Sequence, residues 1–383
     1  MSSMQSIRSI TLICLLASLA LLPSVAVANS ASPTISSVSL GTVPRGVAVN
    51  SISGVIYTVL FLNGTTITLS SQTHDVVGRV ATPSPYTVAV DSVTDQVYVS
   101  QGQGASISVI DSSGNTVLGT VQGAGTPYAM VVDEPQDLIF AADTSSNSLW
   151  IINGATNTVE SRIPMGDTSA LAFDPNDHEA FIGNVSSDSS SGSITVVSSD
   201  NQSIIRTFQI PIAPSHFAVD PVSHLLFVTG AGNAAGINFL AINDETFQTV
   251  YQHHLGDSPQ IVTEAASPDV YVSDPGVNRL YELDGGTGKV LLNSSGDSAR
   301  GISFAGVTAI AFDPGSGNLY ITENEVTSLI ILGSGATTST PVLFAPLGYV
   351  VALLLIVALL LVALVVIRRR KGRKMPPDAV TQS

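Results

Sequence analysis

Hydrophobic and polar positions alternate in short bursts along most of this chain. Stretches such as Tyr86-Thr87-Val88-Ala89-Val90, Val97-Tyr98-Val99-Ser100 and Ser106-Ile107-Ser108-Val109-Ile110 are four or five residues long and rich in Val, Ile, Thr and Tyr. Clusters of Gly, Asn, Asp, Ser and Pro separate them. A side-chain period of two, cut at such short intervals by turn formers, predicts antiparallel strands throughout residues 35–332. Two segments break the pattern as largely apolar runs, residues 10–22 and 347–367.

The strands repeat. Seven short strands end at an acidic or amide residue: Asn50, Asp91, Asp133, Asp174, Asp220, Glu264 and Asp313. Seven positions beyond each stands an aromatic: Tyr57, Tyr98, Phe140, Phe181, Phe227, Tyr271 and Tyr320. The chain holds only 9 Tyr and 12 Phe, so an unvarying offset in seven units is not a product of composition. Each full unit has four strands in a repeat of 41 to 49 residues, which predicts the blades of a β-propeller. The seventh unit lacks its fourth strand, and a spare strand at residues 35–40 precedes the first unit. The expected fold is therefore all-β, a seven-bladed propeller closed by its N-terminal strand, with no open sheet edge.

Pro85-Tyr86-Thr87-Val88-Ala89-Val90-Asp91 followed by Val97-Tyr98-Val99-Ser100, and Asp313-Pro314 followed by Leu319-Tyr320-Ile321-Thr322, resemble the YVTN repeat family of β-propellers. The resemblance covers roughly residues 35–332. It implies a microbial surface-layer or surface-adhesion-like protein and carries no catalytic residues to transfer. The third and fourth units depart from it, with Phe140-Ala141-Ala142 and Phe181-Ile182-Gly183 in place of the usual ending.

The two apolar runs set an expected topology. Arg8, the run at 10–22, Pro23 and the small-x-small triplet Ala26-Val27-Ala28 read as a signal peptide over residues 1–28; an uncleaved anchor is the competing reading. The run at 347–367 is uncharged, and 21 residues at about 1.5 Å each match a hydrocarbon core of about 30 Å. Six Lys/Arg follow in the tail 368–383, which argues against a glycolipid-anchor signal and places that tail in the cytoplasm. Residues 29–335 then form the exterior propeller and 336–346 a Thr/Ser/Pro stalk. The expected protein is a single-pass cell-membrane protein with its propeller outside.

Charge narrows the partners. Residues 29–341 carry 7 Lys/Arg against 28 Asp/Glu, a formal charge of −21, which disfavours nucleic acid. The low share of charged residues, 11%, fits either a surface suited to an acidic exterior or the turn-rich composition of β-repeats. The sole cysteine, Cys14, lies in the signal segment, so the mature exterior has no disulfide. Asn63, Asn184, Asn201 and Asn293 occupy Asn-x-Ser/Thr sequons and are glycosylation candidates.

Candidate chemistry is sparse. Four residues before each repeat's acidic mark come Gly46, Thr87, Ala129, Ala170, His216, Gln260 and Ala309, the positions expected to line the channel. His216 and Gln260 stand out as polar neighbours from adjacent blades. Extra residues gather at 184–192, 230–236 and 293–306, connections that share one face of a propeller, and this face, with Arg300, is the expected binding surface. No pair of histidines has metal-ligand spacing with a carboxylate, and no nucleophile elbow, phosphate loop or calcium loop occurs, so no metal, cofactor or catalytic residue is assigned. The favoured function is a binding, adhesion or cell-envelope module whose partner is a protein, glycan or envelope component. The alternative is an exterior propeller enzyme of lactone hydrolase or lyase type. A sensor has little room in a 16-residue tail.

Overall fold

A computed structural model describes residues 34–123, 126–232, 235–255, 260–263, 269–296 and 302–333, all within one compact unit, Ala31–Gly335. The expected signal peptide, stalk, membrane segment and tail lie outside the described residues, as do Glu264 and Arg300. Among the described residues no helix is long and apolar enough to cross a membrane.

The described strands form seven four-stranded antiparallel sheets. Blade 1 is Val47–Asn50, Val55–Leu60, Thr65–Ser70 and Val76–Ala81. The inner strands of blades 2 to 7 are Pro85–Asp91, Pro127–Asp133, Asp167–Asp174, Ala213–Asp220, Ile261–Thr263 and Val307–Asp313. Each inner strand meets the inner strands of both neighbours, and that of blade 7 meets that of blade 1, so the sheets close into a ring. Blade 7 takes its outer strand from the other end of the chain. Thr34–Ser39 pairs antiparallel with Ser328–Gly333, Ile35 opposite Leu332 and Val38 opposite Leu329. The expected seven blades and closing strand are both present.

Burial follows the strand period. Seven apolar clusters lie among the described residues, one at each blade boundary. The cluster between blades 4 and 5, for example, joins Phe181, Ile194 and Val196 to Phe217, Leu226 and Val228. Six of the seven repeat aromatics are fully buried and Tyr271 nearly so. Burying a large apolar side chain is worth about 1.5–3 kcal/mol, so these boundaries carry most of the ring's cohesion.

The acidic marks have a local cause. Asp91 Oδ1 accepts from the backbone N–H groups of Val93 (2.9 Å) and Thr94 (2.8 Å), and Asn50, Asp174 and Asp220 do the same for the residues two and three ahead. A short acceptor side chain thereby stabilises the turn into the second strand. Four residues past the six described marks the chain turns left-handed, at Gly54, Asp95, Asp137, His178, His224 and Gly317. Three of these positions, Asp95, Asp137 and His178, face the mark of the preceding blade. Asn50 Nδ2 donates to Asp95 Oδ1 at 2.8 Å, and His178 Nδ1 lies 3.7 Å from Asp133 Oδ2. At the boundary of blades 2 and 3 Asp137 is held beside Asp91, and burial followed by the Asp91 charge pushes its carboxyl above the usual range.

Candidate binding site at the channel mouth

The start of the inner strand is irregular in the same place in blade after blade. The register slips between Pro85 and Val88, Pro127 and Ala129, Thr168 and Ala170, Pro214 and His216, and Val307 and Ala309. A bulge opposes two residues to one and turns an additional side chain toward the same side. Second-strand hydroxyls bond the backbone at this level of the inner strands. Ser100 Oγ accepts from Thr87 N (3.1 Å), Ser273 Oγ accepts from Gln260 N (3.2 Å), and Thr229 and Thr322 donate to the carbonyls of His216 and Ala309.

That accounts for the hydroxyl at the end of the repeat motif and for one of its departures. In blade 4 the equivalent residue is Gly183, where an added Cβ would stand 2.9 Å from Phe217 Cζ and 3.1 Å from Pro214 Cγ. The next blade presses too closely for a side chain.

Above the bulges lies a cavity of about 490 Å³. His216 and Gln260 both line it, as the sequence leads one to expect, together with Thr87. Arg45, Tyr86, Tyr128, Thr144, Asp167 and Thr308 contribute as well. The Arg45 guanidinium lies 3.6 Å from the Tyr86 ring centroid and 5.6 Å from that of Phe61. Tyr86 in turn meets Tyr128 edge to face at 4.6 Å, and Tyr128 is 45% exposed. One flank of the mouth is thus an aromatic platform with a cation held on it, worth about 0.5–2 kcal/mol per contact. The other flank offers Ser215, His216, Gln260 and Thr308, with His216 Nδ1 at 3.1 Å from Ser215 Oγ.

Further along the inner strands the surroundings change. A second cavity of about 480 Å³ is lined by Ala48, Val90, Met130, Val132, Val262, Ile310 and Phe312, with Glu134 and Pro175 at its rim. The channel is polar at one end and apolar at the other. Thr144, from a connection between second and third strands, lines the polar end. The polar end therefore opens on the face that carries the elaborated connections.

Those connections are built segments. In blade 4, Asp188 accepts from Ser186 Oγ (2.6 Å), Ser190 N (3.1 Å) and Ser190 Oγ (2.8 Å), which lowers its carboxyl to about 2. In blade 5, Asn238 is buried and brackets Leu255, donating to its carbonyl and accepting from its N–H. Phe304, from the connection between blades 6 and 7, is fully buried and its N–H donates to Asn278 Oδ1 at 2.6 Å.

The sequons divide. Asn63, Asn201 and Asn293 are exposed. Asn184 is buried, and its side-chain nitrogen donates to Thr195 Oγ1 at 3.1 Å. In the folded blade that nitrogen is held inside the sheet, unlike those of the other three sequons.

No family model matches the chain, and no curated protein matches it. Solved structures do. The chain is similar to hydrazine synthase of Kuenenia stuttgartiensis at 13% identity and a TM-score of 0.65, covering 78% of this chain and 97% of that one. It is also similar to the β-propeller domain of Cps50 (Swd1) from Myceliophteria thermophila at 13% identity and a TM-score of 0.62, covering 78% and 99%. Likeness at this identity establishes the propeller fold and nothing about chemistry.

Proposed function

We propose that this protein is an extracytoplasmic binding module of the YVTN type, held at the cell surface by residues 347–367 and recognising an envelope partner through the polar mouth of its channel. One observation carries the reading. The face with the longest connections is also the face where Arg45, Tyr86, Tyr128, His216 and Gln260 surround an open cavity. The exposed ring of Tyr128 beside amide, imidazole and hydroxyl groups suits a polar ligand with apolar faces, such as a sugar chain on the cell envelope. The exterior charge of −21 argues for a neutral or cationic partner rather than nucleic acid. Arg300 belongs to the same connection as Ile302 and extends the proposed surface in sequence.

The Arg45 guanidinium is committed to the Tyr86 and Phe61 rings, which favours recognition over the lactone hydrolase or lyase alternative. The test is binding of the purified chain to envelope polysaccharide from the producing cells, with Tyr128→Ala and His216→Ala as variants. Each is expected to weaken binding about tenfold, roughly 1.4 kcal/mol. Unchanged binding, or turnover of lactone substrates lost in His216→Ala, would overturn the proposal. Protease treatment of intact cells tests topology: the propeller should be cleaved and the basic tail protected.

A further inference from the structure

On the opposite face, turns of blades 4 and 5 bring together side chains that the channel does not use. The inner turn of blade 4 supplies Asp174 and Asp177, that of blade 5 supplies His224, and the turn after Phe239–Asn243 supplies Asp244. His224 Nδ1 lies 3.4 Å from Asp244 Oδ1, 3.8 Å from Asp177 Oδ2 and 3.9 Å from Glu245 Oε1. The ligand atoms of Asp177, His224 and Asp244 all fall within 4.8 Å of one another.

Asp244 is the telling member. Its side chain is 1% exposed, yet neither carboxylate oxygen accepts a hydrogen bond, and His224 Nδ1 makes none either. Buried carboxylates are ordinarily satisfied, and leaving one without donors costs several kcal/mol.

The surroundings are held rigidly. Asp244 N donates to the His224 carbonyl at 3.2 Å, and Asn176 Nδ2 crosses the blade boundary to the Pro221 carbonyl at 2.9 Å. His224 sits in the left-handed region, φ 55°, which sets the direction in which its side chain leaves the backbone.

We propose that Asp177, His224 and Asp244 hold a divalent transition-metal cation of the Zn²⁺ class, pinning blade 4 to blade 5. Bonds of about 2.0–2.2 Å to a tetrahedral ion put ligand atoms roughly 3.3–3.6 Å apart, so the separations of 3.4 and 3.8 Å need only a small rotation of the two partly exposed side chains. An imidazole among carboxylates selects Zn²⁺ and its neighbours over Ca²⁺ or Mg²⁺, which take all-oxygen sites. Glu245 is placed to act as a fourth ligand. The ligands come from three separate turns, which is why residue spacing along the chain does not reveal them.

The test is a titration of the chelator-stripped full-length chain with Zn²⁺ against a competing chromophoric chelator, followed by thermal unfolding with and without Zn²⁺. The wild-type chain should show one saturable site and a raised unfolding midpoint. His224→Gln and Asp244→Asn should each weaken that site at least tenfold and abolish the rise. If Asp244→Asn fails to fold, Asp177→Asn, at an exposed side chain, carries the test with a severalfold loss. Absence of saturable binding overturns the proposal, as does wild-type affinity in the His224, Asp177 and Asp244 variants, which would put Zn²⁺ on scattered surface carboxylates.

Discussion

Replacing Asp137 by Asn should stabilise the protein at neutral pH, and the ring contains its own precedent. At the boundary of blades 1 and 2 an amide meets a carboxylate, Asn50 donating to Asp95. At the boundary of blades 2 and 3 the same two positions hold Asp91 and Asp137. There Asp91 Oδ2 and Asp137 Oδ1 are buried without a donor. An amide at 137 can supply the missing N–H, and Asn tolerates the left-handed backbone, φ 52°, that this position requires. A hydrogen bond to a charged acceptor is worth about 1.5–3 kcal/mol. Asp137 is only partly buried, and discounting for solvent screening leaves about 1 kcal/mol.

The pH dependence has a definite sign. A carboxyl whose folded pKa is raised holds its proton more tightly when folded, so the wild-type protein gains stability as pH falls through that pKa, and the gain is complete below the ordinary carboxylate value of about 4. Asn cannot titrate, so the advantage of the variant should be largest at pH 7.5 and vanish near pH 4. Urea unfolding followed by the fluorescence of Trp150, the single tryptophan and a buried residue of blade 3, reads this directly. A variant less stable than wild type at pH 7.5, or an advantage that persists at pH 4, would refute the reasoning.

Other expected outcomes follow from the same packing. Gly183→Ala should cost about 1–3 kcal/mol in a urea titration, because its methyl group must displace the Phe217 ring or Pro214. Tyr57→Phe should cost about 1 kcal/mol, since the Tyr57 hydroxyl donates to the Ser112 carbonyl of the next blade. Deleting residues 34–39 uncovers the edge of Ser328–Gly333 and should lower the thermal midpoint and produce oligomers visible by size-exclusion chromatography. Asp143 should oppose the trend of Asp137. Burial raises it, but bonds from Ser145, Ser146 and Thr126 outweigh that and hold the carboxyl below its ordinary value. Its contribution is therefore present above about pH 4 and lost as pH falls further, so Asp143→Asn should flatten the acid limb of the stability curve.

The ring was legible because its defining features are local. An Asx turn needs Asp or Asn two residues before the N–H groups it accepts, and the aromatic seven positions on fills the space between blades. Both are written as fixed offsets, and the missing fourth strand of unit 7 betrays the swap with residues 34–39. The mouth was only half legible. A strict period of two puts His216 and Gln260 toward the channel, but the bulge adds a residue and admits Tyr86, Tyr128 and Ser215 beside them. Arg45, Tyr86 and Tyr128 all stand five before a mark, a column that an unbroken strand would have turned away. Pairings across blades, such as Asp137 with Asp91 or His224 with Asp177 and Asp244, depend on ring geometry that no spacing along the chain encodes.

The working face is the central claim, and hydrogen exchange with and without envelope polysaccharide tests it most directly. Protection is predicted at residues 126–129, 186–191 and 215–216, around the polar mouth. Protection instead at the turns 92–95, 134–137 and 175–178 would place recognition on the opposite face and contradict the account.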